Sequence, residues 1–274
     1  MTRIGLDIGG TKMEIVALDA GGATLLQRRA PAPHGSYDEA IAAIAGFVLE
    51  AERALGLRCS VGIGLPGSLS PRTGALRNAY ALPLNGRPVK RDLERLLERE
   101  VRVANDANCF ALSEATDGAA HGRGVTFGVI LGTGVGGGVV VDGRVIEGAN
   151  GIGGEWGHNS LPWPAADELP GPRCSCGREG CIEAFLSGPG LARDHARVTG
   201  ETREPADIVA DAGSGGGCAS TLARYEDRLA RALASVINLL DPDVIVLGGG
   251  MSRTASLYRA VPARWGRYVY SDAV

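Results

Sequence analysis

One pattern occurs twice in this chain. A short apolar strand runs into a glycine-rich turn, a second strand follows, and a two-residue turn leads into a third. The first copy has strands at 3–7, 13–19 and 23–29 with Gly21-Gly22 as the hairpin turn; the second has strands at 125–131, 136–141 and 144–147 with Asp142-Gly143 in that place. Each copy commits its half of the chain to an antiparallel meander. After the first copy, Ile41, Ile44, Val48 and Leu55 recur at helical spacing over 37–55, and 60–65 reads as a buried strand ending at Pro66-Gly67. A helix over 89–99, a strand over 101–104 and a helix over 107–119 follow, the last with Asn105 or Asp106 placed to cap it. Beyond the second copy come helices over 179–186 and 218–240, the latter carrying Leu222, Tyr225, Leu229, Leu233, Ile237 and Leu240 on one face. A strand over 243–247, the Gly248-Gly249-Gly250 loop and a helix from about residue 255 close the sequence. Strands alternating with helices define an α/β fold with mixed sheets. The duplicated βββαβ order predicts two related domains across a central cleft, 1–119 and 120–274, with the border near 119–124.

Composition excludes several classes of function. A net charge of −3, with 28 basic residues scattered among 31 acids, gives no electrostatic footprint for nucleic acid or anionic lipid. No apolar run approaches the ~20 residues of a membrane-spanning helix, and the first strand leaves no room for a signal peptide. The expected location is the cytoplasm, with neither nucleic acid nor membrane as partner. Of 274 residues, 42 are glycine, and they gather at strand ends, where a backbone can approach a ligand closely.

Three of those glycine clusters suit phosphate. In Asp7-Ile-Gly-Gly-Thr-Lys12 a carboxylate at a strand end precedes a turn that can aim N–H groups and a hydroxyl at an anion, while Asp7 can hold Mg²⁺ through water. Alone, this hexapeptide reads equally well as a plain hairpin turn. Gly132-Thr133-Gly134 repeats the device in the second meander, and Gly248-Gly249-Gly250 is read as opening a helix, so that its dipole faces an anion or a nucleoside edge. Neither a Walker motif nor a dinucleotide fingerprint is present: the glycines at 134, 136, 137 and 138 lead into a strand, not a helix. In Asn105-Asp-Ala-Asn108, Asp106 stands where a strand hands over to a helix. By itself it would be a helix cap; beside three glycine loops it is a candidate general base.

His158, Cys174, Cys176 and Cys181 form a Cys₃His set suited to tetrahedral Zn²⁺ with every position filled by protein, which marks a structural site. Three cysteines in one segment argue against a closed disulfide. Cys59, Cys109 and Cys218 fall on apparent core elements and read as buried small apolar residues, His34, His121 and His195 as surface residues, and Trp156 and Trp163 as packing residues.

The segments Asp7-Ile-Gly-Gly-Thr-Lys, Leu131-Gly-Thr-Gly-Val-Gly-Gly-Gly, Glu155-Trp-Gly-His and Cys174-Ser-Cys-Gly-Arg-Glu-Gly-Cys-Ile-Glu183 resemble the ROK family of repressors, open reading frames and sugar kinases, over essentially the whole chain. The Pro66 to Gly74 loop, the Asn85-Gly-Arg-Pro88 turn and the Glu155 to Trp163 segment are most similar to bacterial fructokinases of the manno(fructo)kinase type, with N-acetylglucosamine kinases next and glucokinases as a further alternative. The resemblance implies an actin/hexokinase-like, ribonuclease H-like fold of two domains, ATP with Mg²⁺, structural Zn²⁺, a homodimer, and phosphorylation of a hexose, fructose to fructose 6-phosphate foremost. It implies Asp106 as the base; Gly67, Ser68, Asn78, Asn105, Glu155, His158 and Glu183 on sugar hydroxyls; Asp7, Gly9, Gly10, Thr11, Lys12, Gly132, Thr133 and Gly134 at the phosphates; and Gly249 and Gly250 near the nucleoside. His158 would then place one ring nitrogen on zinc and the other on sugar.

Two further expectations follow. Relatives continue with another strand and a closing helix, so a chain ending at Val274 is expected to have an incomplete adenosine side, or one completed by another segment. A sugar-sensing regulator of the same family would carry a DNA-binding module ahead of Arg3, where no room is left for one; a kinase-like chain that binds sugar without turnover is the remaining alternative.

Overall fold

Alternate residues of Arg3–Ile8 (β1) are buried, and Ile4, Leu6 and Ile8 face the core at 0–2% exposure, the period of a strand covered on one side. The computed structural model, which describes residues 1–79 and 82–274, pairs β1 antiparallel with Lys12–Leu18 (β2), and β2 with Thr24–Pro31 (β3). The first meander is therefore present as expected. Helix Tyr37–Leu55 (α1) starts at a capping box, in which Ser36 accepts from the Glu39 N–H and Glu39 accepts in return from the Ser36 N–H. Ile41, Ile44 and Val48 give α1 its buried face.

Strand Ser60–Leu65 (β4) lies parallel to β1, and Val101–Asn105 (β7) parallel to β4, giving the order β3-β2-β1-β4-β7. Ser68–Leu69 (β5) and Leu76–Arg77 (β6) form a small hairpin after β4, and helix Val89–Leu97 (α2) precedes β7. The register matches Asp7 with Gly64 and Leu65 with Asn105. Three parallel strands thus end at one edge, where ligands of open α/β sheets bind, and they deliver Asp7, the Pro66-Gly67 turn and Asn105-Asp106 there. Helix Asp106–Asp117 (α3) leaves from that edge.

The second meander comprises Val125–Leu131 (β8), Val135–Val141 (β9) and Arg144–Val145 (β10), with Val244–Gly248 (β11) parallel to β8. Helices Ile182–Leu186 (α4), Gly188–Thr199 (α5), Pro205–Asp211 (α6) and Gly216–Leu240 (α7) follow, with Leu257–Ala260 (α8) and Pro262–Trp265 (α9) after β11. Leu222, Tyr225, Leu229, Leu233 and Ile237 of α7 are buried, and Leu240 packs against the same cluster, as the spacing predicts.

The chain divides into two compact units, residues 1–109 with 147–153, and residues 110–146 with 154–274, so the junction falls inside α3 and not after it. The helix expected over 179–186 begins only at Ile182, because Glu179 and Cys181 are taken up in bridges to Arg173 and Ser160. The segment after the Gly248–Gly250 loop is a single 3₁₀ turn, Gly250–Arg253, before the short α8. That turn is too short to supply the helix dipole expected at this loop. Among the described residues no helix is long and apolar enough to cross a membrane.

Candidate active site

In the first unit, the side chains expected to meet sugar are brought together by the turn after β4. Gly67 has φ 82°, and an added Cβ would stand 2.0 Å from the Arg77 carbonyl oxygen, so this turn closes against β6 only with glycine. The Asn105 side-chain amide donates to the Gly67 carbonyl (3.1 Å), while its Oδ1 accepts from the Asn108 N–H (3.1 Å). Asn105 is therefore the cap of α3. Asp106 is relieved of that task, and Oδ1 of its carboxylate accepts from the neighbouring Ala107 N–H (2.8 Å). Ser68 pairs with Arg77 in the hairpin register, and Asn78, exposed and left-handed at φ 63°, follows directly.

Burial pushes the Asp106 carboxyl above the usual range, only partly offset by its backbone hydrogen bonds. Asp7 is accessible to solvent, yet its carboxyl is partly desolvated and is raised by that burial first and by the charge of Asp106 second. Neither carboxylate has an ion-pair partner among the described residues. Two such groups, close enough to repel, favour a proton or a cation between them.

The β1–β2 turn spends the Gly9 N–H on the Lys12 carbonyl (2.9 Å) and the β8–β9 turn spends the Gly132 N–H on the Gly134 carbonyl (3.0 Å). These two groups close their turns and are not available to an anion. The N–H groups of Gly10, Thr11, Thr133 and Gly134 have no partner among the described residues, and the Thr11, Lys12 and Thr133 residues are exposed. In the second unit, an added Cβ at Gly249 would stand 2.4 Å from the Leu131 carbonyl oxygen, which puts the Gly249-Gly250 loop against the start of the Gly132 turn.

A contributor without a signal in the apolar spacing is the start of α5. Ser187 caps it by accepting from the Gly190 N–H (3.1 Å), and the Gly188 N–H donates to the Gly132 carbonyl (2.8 Å), so the helix begins on the phosphate-type turn. Ser187-Gly-Pro189 is the local signal that could have found it, with serine at the cap and proline in the first turn.

The Cys₃His set converges. Ligand atoms of His158, Cys174, Cys176 and Cys181 all lie within 4.8 Å of one another, with the Cys176 and Cys181 sulfurs 3.6 Å apart and His158 Nδ1 3.5 Å from the Cys174 sulfur. Those spacings fit the edges of a tetrahedron about one ion with Zn–S bonds of about 2.3 Å. A hydrogen bond from the Arg178 guanidinium draws the Cys176 thiol down to about 6, whereas burial holds Cys181 up. His158 belongs to the 3₁₀ turn Trp156–His158, where Gly157 lies so close to β9 that a Cβ would meet the Val135 carbonyl oxygen at 2.1 Å. Trp156 anchors the turn by donating to the Gly136 carbonyl (2.9 Å) and by an edge-on contact with Phe127. Glu183 accepts from the Val135 N–H (3.1 Å) and from the Ser175 hydroxyl (3.0 Å), joining this knuckle to the β8–β9 turn, and Glu155 is half-buried beside Trp156.

Two expectations about isolated residues fail. His195 is 1% exposed with Nδ1 on the Thr221 hydroxyl (3.0 Å), so it is a core residue. Cys109 is exposed one turn along α3 from Asp106, whereas Cys59 and Cys218 are buried as expected. Trp163, read as a packing residue, is half-exposed and stacks on Tyr268.

These sheets, with the glycine turns and the carboxylate at their ends, define a two-unit α/β protein of hexokinase-like fold. A ROK hexokinase from Thermus thermophilus superposes with a TM-score of 0.84 at 34% identity, over 98% of this chain and 89% of that one. A ROK family glucokinase from Streptomyces griseus, solved with glucose and AMPPNP, does so with 0.82 at 26% identity, over 99% and 90%. The N-acetyl-D-glucosamine kinase of Pectobacterium atrosepticum is 41% identical over 265 residues, 95% of this chain and 87% of that protein. The sequence profile of the ROK family matches residues 3–274. The chain belongs to the ROK family.

Proposed function

We propose that this protein is an ATP-dependent sugar kinase that phosphorylates N-acetylglucosamine. The observation that carries the kinase chemistry is Asp106: a carboxylate at a strand–helix junction, raised by burial, without an ion-pair partner among the described residues, and released from capping by Asn105. A base with a raised pKa is a stronger proton acceptor, and it needs only hydrogen-bonding reach of the attacking hydroxyl. The choice of sugar rests on the 41% identical relative, which is named for N-acetyl-D-glucosamine, and it replaces fructose, which the loop resemblance favoured.

In this reading Asp106 takes the proton of the sugar hydroxyl as the phosphoryl group transfers. Gly67, Ser68, Asn78 and Asn105, with Glu155, His158 and Glu183, hold the other polar groups of the sugar. Thr11, Lys12, Thr133 and the unspent N–H groups of the two glycine turns meet the phosphates, Gly9 and Gly132 shape those turns, and Gly249 and Gly250 flank the nucleoside. Mg²⁺ with ATP supplies charge neutralisation at the transferring group, and Asp7 is the residue suited to hold it through water. Zn²⁺ on Cys174, Cys176, Cys181 and His158 Nδ1 supplies structure alone and fixes the tautomer, which leaves Nε2 for the sugar.

The test is ADP release across N-acetylglucosamine, glucose, mannose and fructose. N-acetylglucosamine is expected to lead in kcat/KM; a value for fructose about tenfold above it would return the assignment to fructokinase, since discrimination of one to two decades is what a single unpaired polar contact costs.

A further inference from the structure

Behind the Gly67 turn, the first unit keeps two polar atoms out of its hydrogen-bond network. Asn108 is 8% exposed and its Oδ1 has no partner among the described residues; the Ser68 hydroxyl is likewise buried and unpaired. Buried orphans of this kind are uncommon in native proteins, and two on one cavity point to a missing ligand group. Both line a cavity of about 120 Å³ whose apolar wall includes Leu65, Leu69, Leu76 and Val103. A single water needs only ~10–15 Å³ by a comparable measure, so a small substituent fits there. Asn105 lines the same cavity and is the residue before Asp106, which places the pocket beside the proposed reacting centre.

The chemistry of the walls selects the group. Asn108 Oδ1 can only accept a hydrogen bond, the serine hydroxyl can donate one, and the leucines favour an alkyl end. A secondary amide with a methyl group satisfies all three: its N–H donates to Asn108, its carbonyl accepts from Ser68, and its methyl removes apolar surface from water. A bare hydroxyl could donate to Asn108 and accept from Ser68, but it would leave the apolar wall unfilled. We propose that this cavity is the acetamido subsite, with Asn108 as the residue that reads the N-acetyl group. The inference rests on the N-acetylglucosamine reading above.

It is tested on the full chain by measuring kcat/KM for N-acetylglucosamine and for glucose in the unaltered protein, in Asn108→Ala and in Ala104→Val. Ala104 lines the cavity, so the valine fills space where the alanine variant of Asn108 removes an acceptor. Each variant is expected to lower the N-acetylglucosamine-to-glucose ratio by about tenfold or more, because a general structural defect moves both sugars together. If Asn108→Ala does not fold, Ala104→Val decides alone. Turnover of N-acetylglucosamine by the unaltered protein, with a ratio that stays within about threefold in the folded variants, overturns the subsite and spares the kinase reading. An unaltered protein that turns over glucose and not N-acetylglucosamine overturns both the subsite and the choice of N-acetylglucosamine as substrate.

Discussion

Carboxylates partly or wholly withdrawn from water behave in opposite ways in the two units. In the first, Asp106 and Asp7 are raised by burial, and neither has an ion-pair partner among the described residues. In the second, Glu168 and Asp194 are buried at 8% exposure each, yet both are lowered. Burial alone would raise Glu168, but hydrogen bonds from Arg231 and Arg228 draw it down to about 2. Arg228 Nε stands 2.7 Å from Glu168, and its guanidinium reaches Asp194 at 3.2 Å, so α7 ties α5 to the 3₁₀ turn Ala166–Glu168. A satisfied buried pair stores no reactivity. An unsatisfied one costs stability and can accept a proton, which is why the first pair is suited to the proposed chemistry and the second to the fold.

The contrast breaks most visibly at Arg228. Arg228→Ala strands Glu168 and Asp194 beside fewer positive charges and should destabilise the protein by about 3–5 kcal/mol, the usual cost of opening a buried pair. Chemical denaturation reads it; a loss under about 1 kcal/mol would mean the network is decorative. On the reactive side, Asp106→Asn should lower kcat by ~10² or more with sugar affinity within an order of magnitude. Near-normal turnover in a steady-state assay removes Asp106 from the mechanism.

Metal removal should act on fold and sugar site together. Chelation, or Cys176→Ser, is expected to lower the melting temperature by several degrees and to weaken sugar binding, with elemental analysis finding about one zinc per chain beforehand. Full zinc content in Cys176→Ser would exclude that ligand. The smallest effect lies in acid. Because folding lowers the Glu168 pKa from 4.5 to about 2, its stabilisation is complete above pH 4.5 and is lost as pH falls toward about 2. Acid unfolding of Glu168→Gln should lack that part of the profile.

Where local periodicity decides the structure, the sequence was enough. The helix at 37–55, the strands at 60–65 and 125–131 and both meanders are found where the apolar spacing puts them. Asp106 and the Cys₃His set were equally legible, since strand ends and ligand types are local. Helix α5 was not, because its buried face carries Asp194 and His195, whose partners Arg224, Arg228 and Thr221 lie on α7. A helix whose inner face is polar shows no apolar period. For the same reason His195 read as a surface residue, and the choice of Asn105 over Asp106 as cap rests on the two hydrogen bonds of Asn105.

The comparison of carboxylates is tested most directly by melting Asp106→Asn and Glu168→Gln side by side at neutral pH, without ligand. A group whose pKa is raised by folding favours the native state only while protonated and loses that contribution as pH rises, so neutral Asn at 106 relieves a cost while its Oδ1 can keep the bond from the Ala107 N–H. Gln at 168 removes the charge that two arginines need. The account predicts that Asp106→Asn melts at or above the unaltered protein and Glu168→Gln roughly 10 °C below it. Equal losses in the two variants would contradict it.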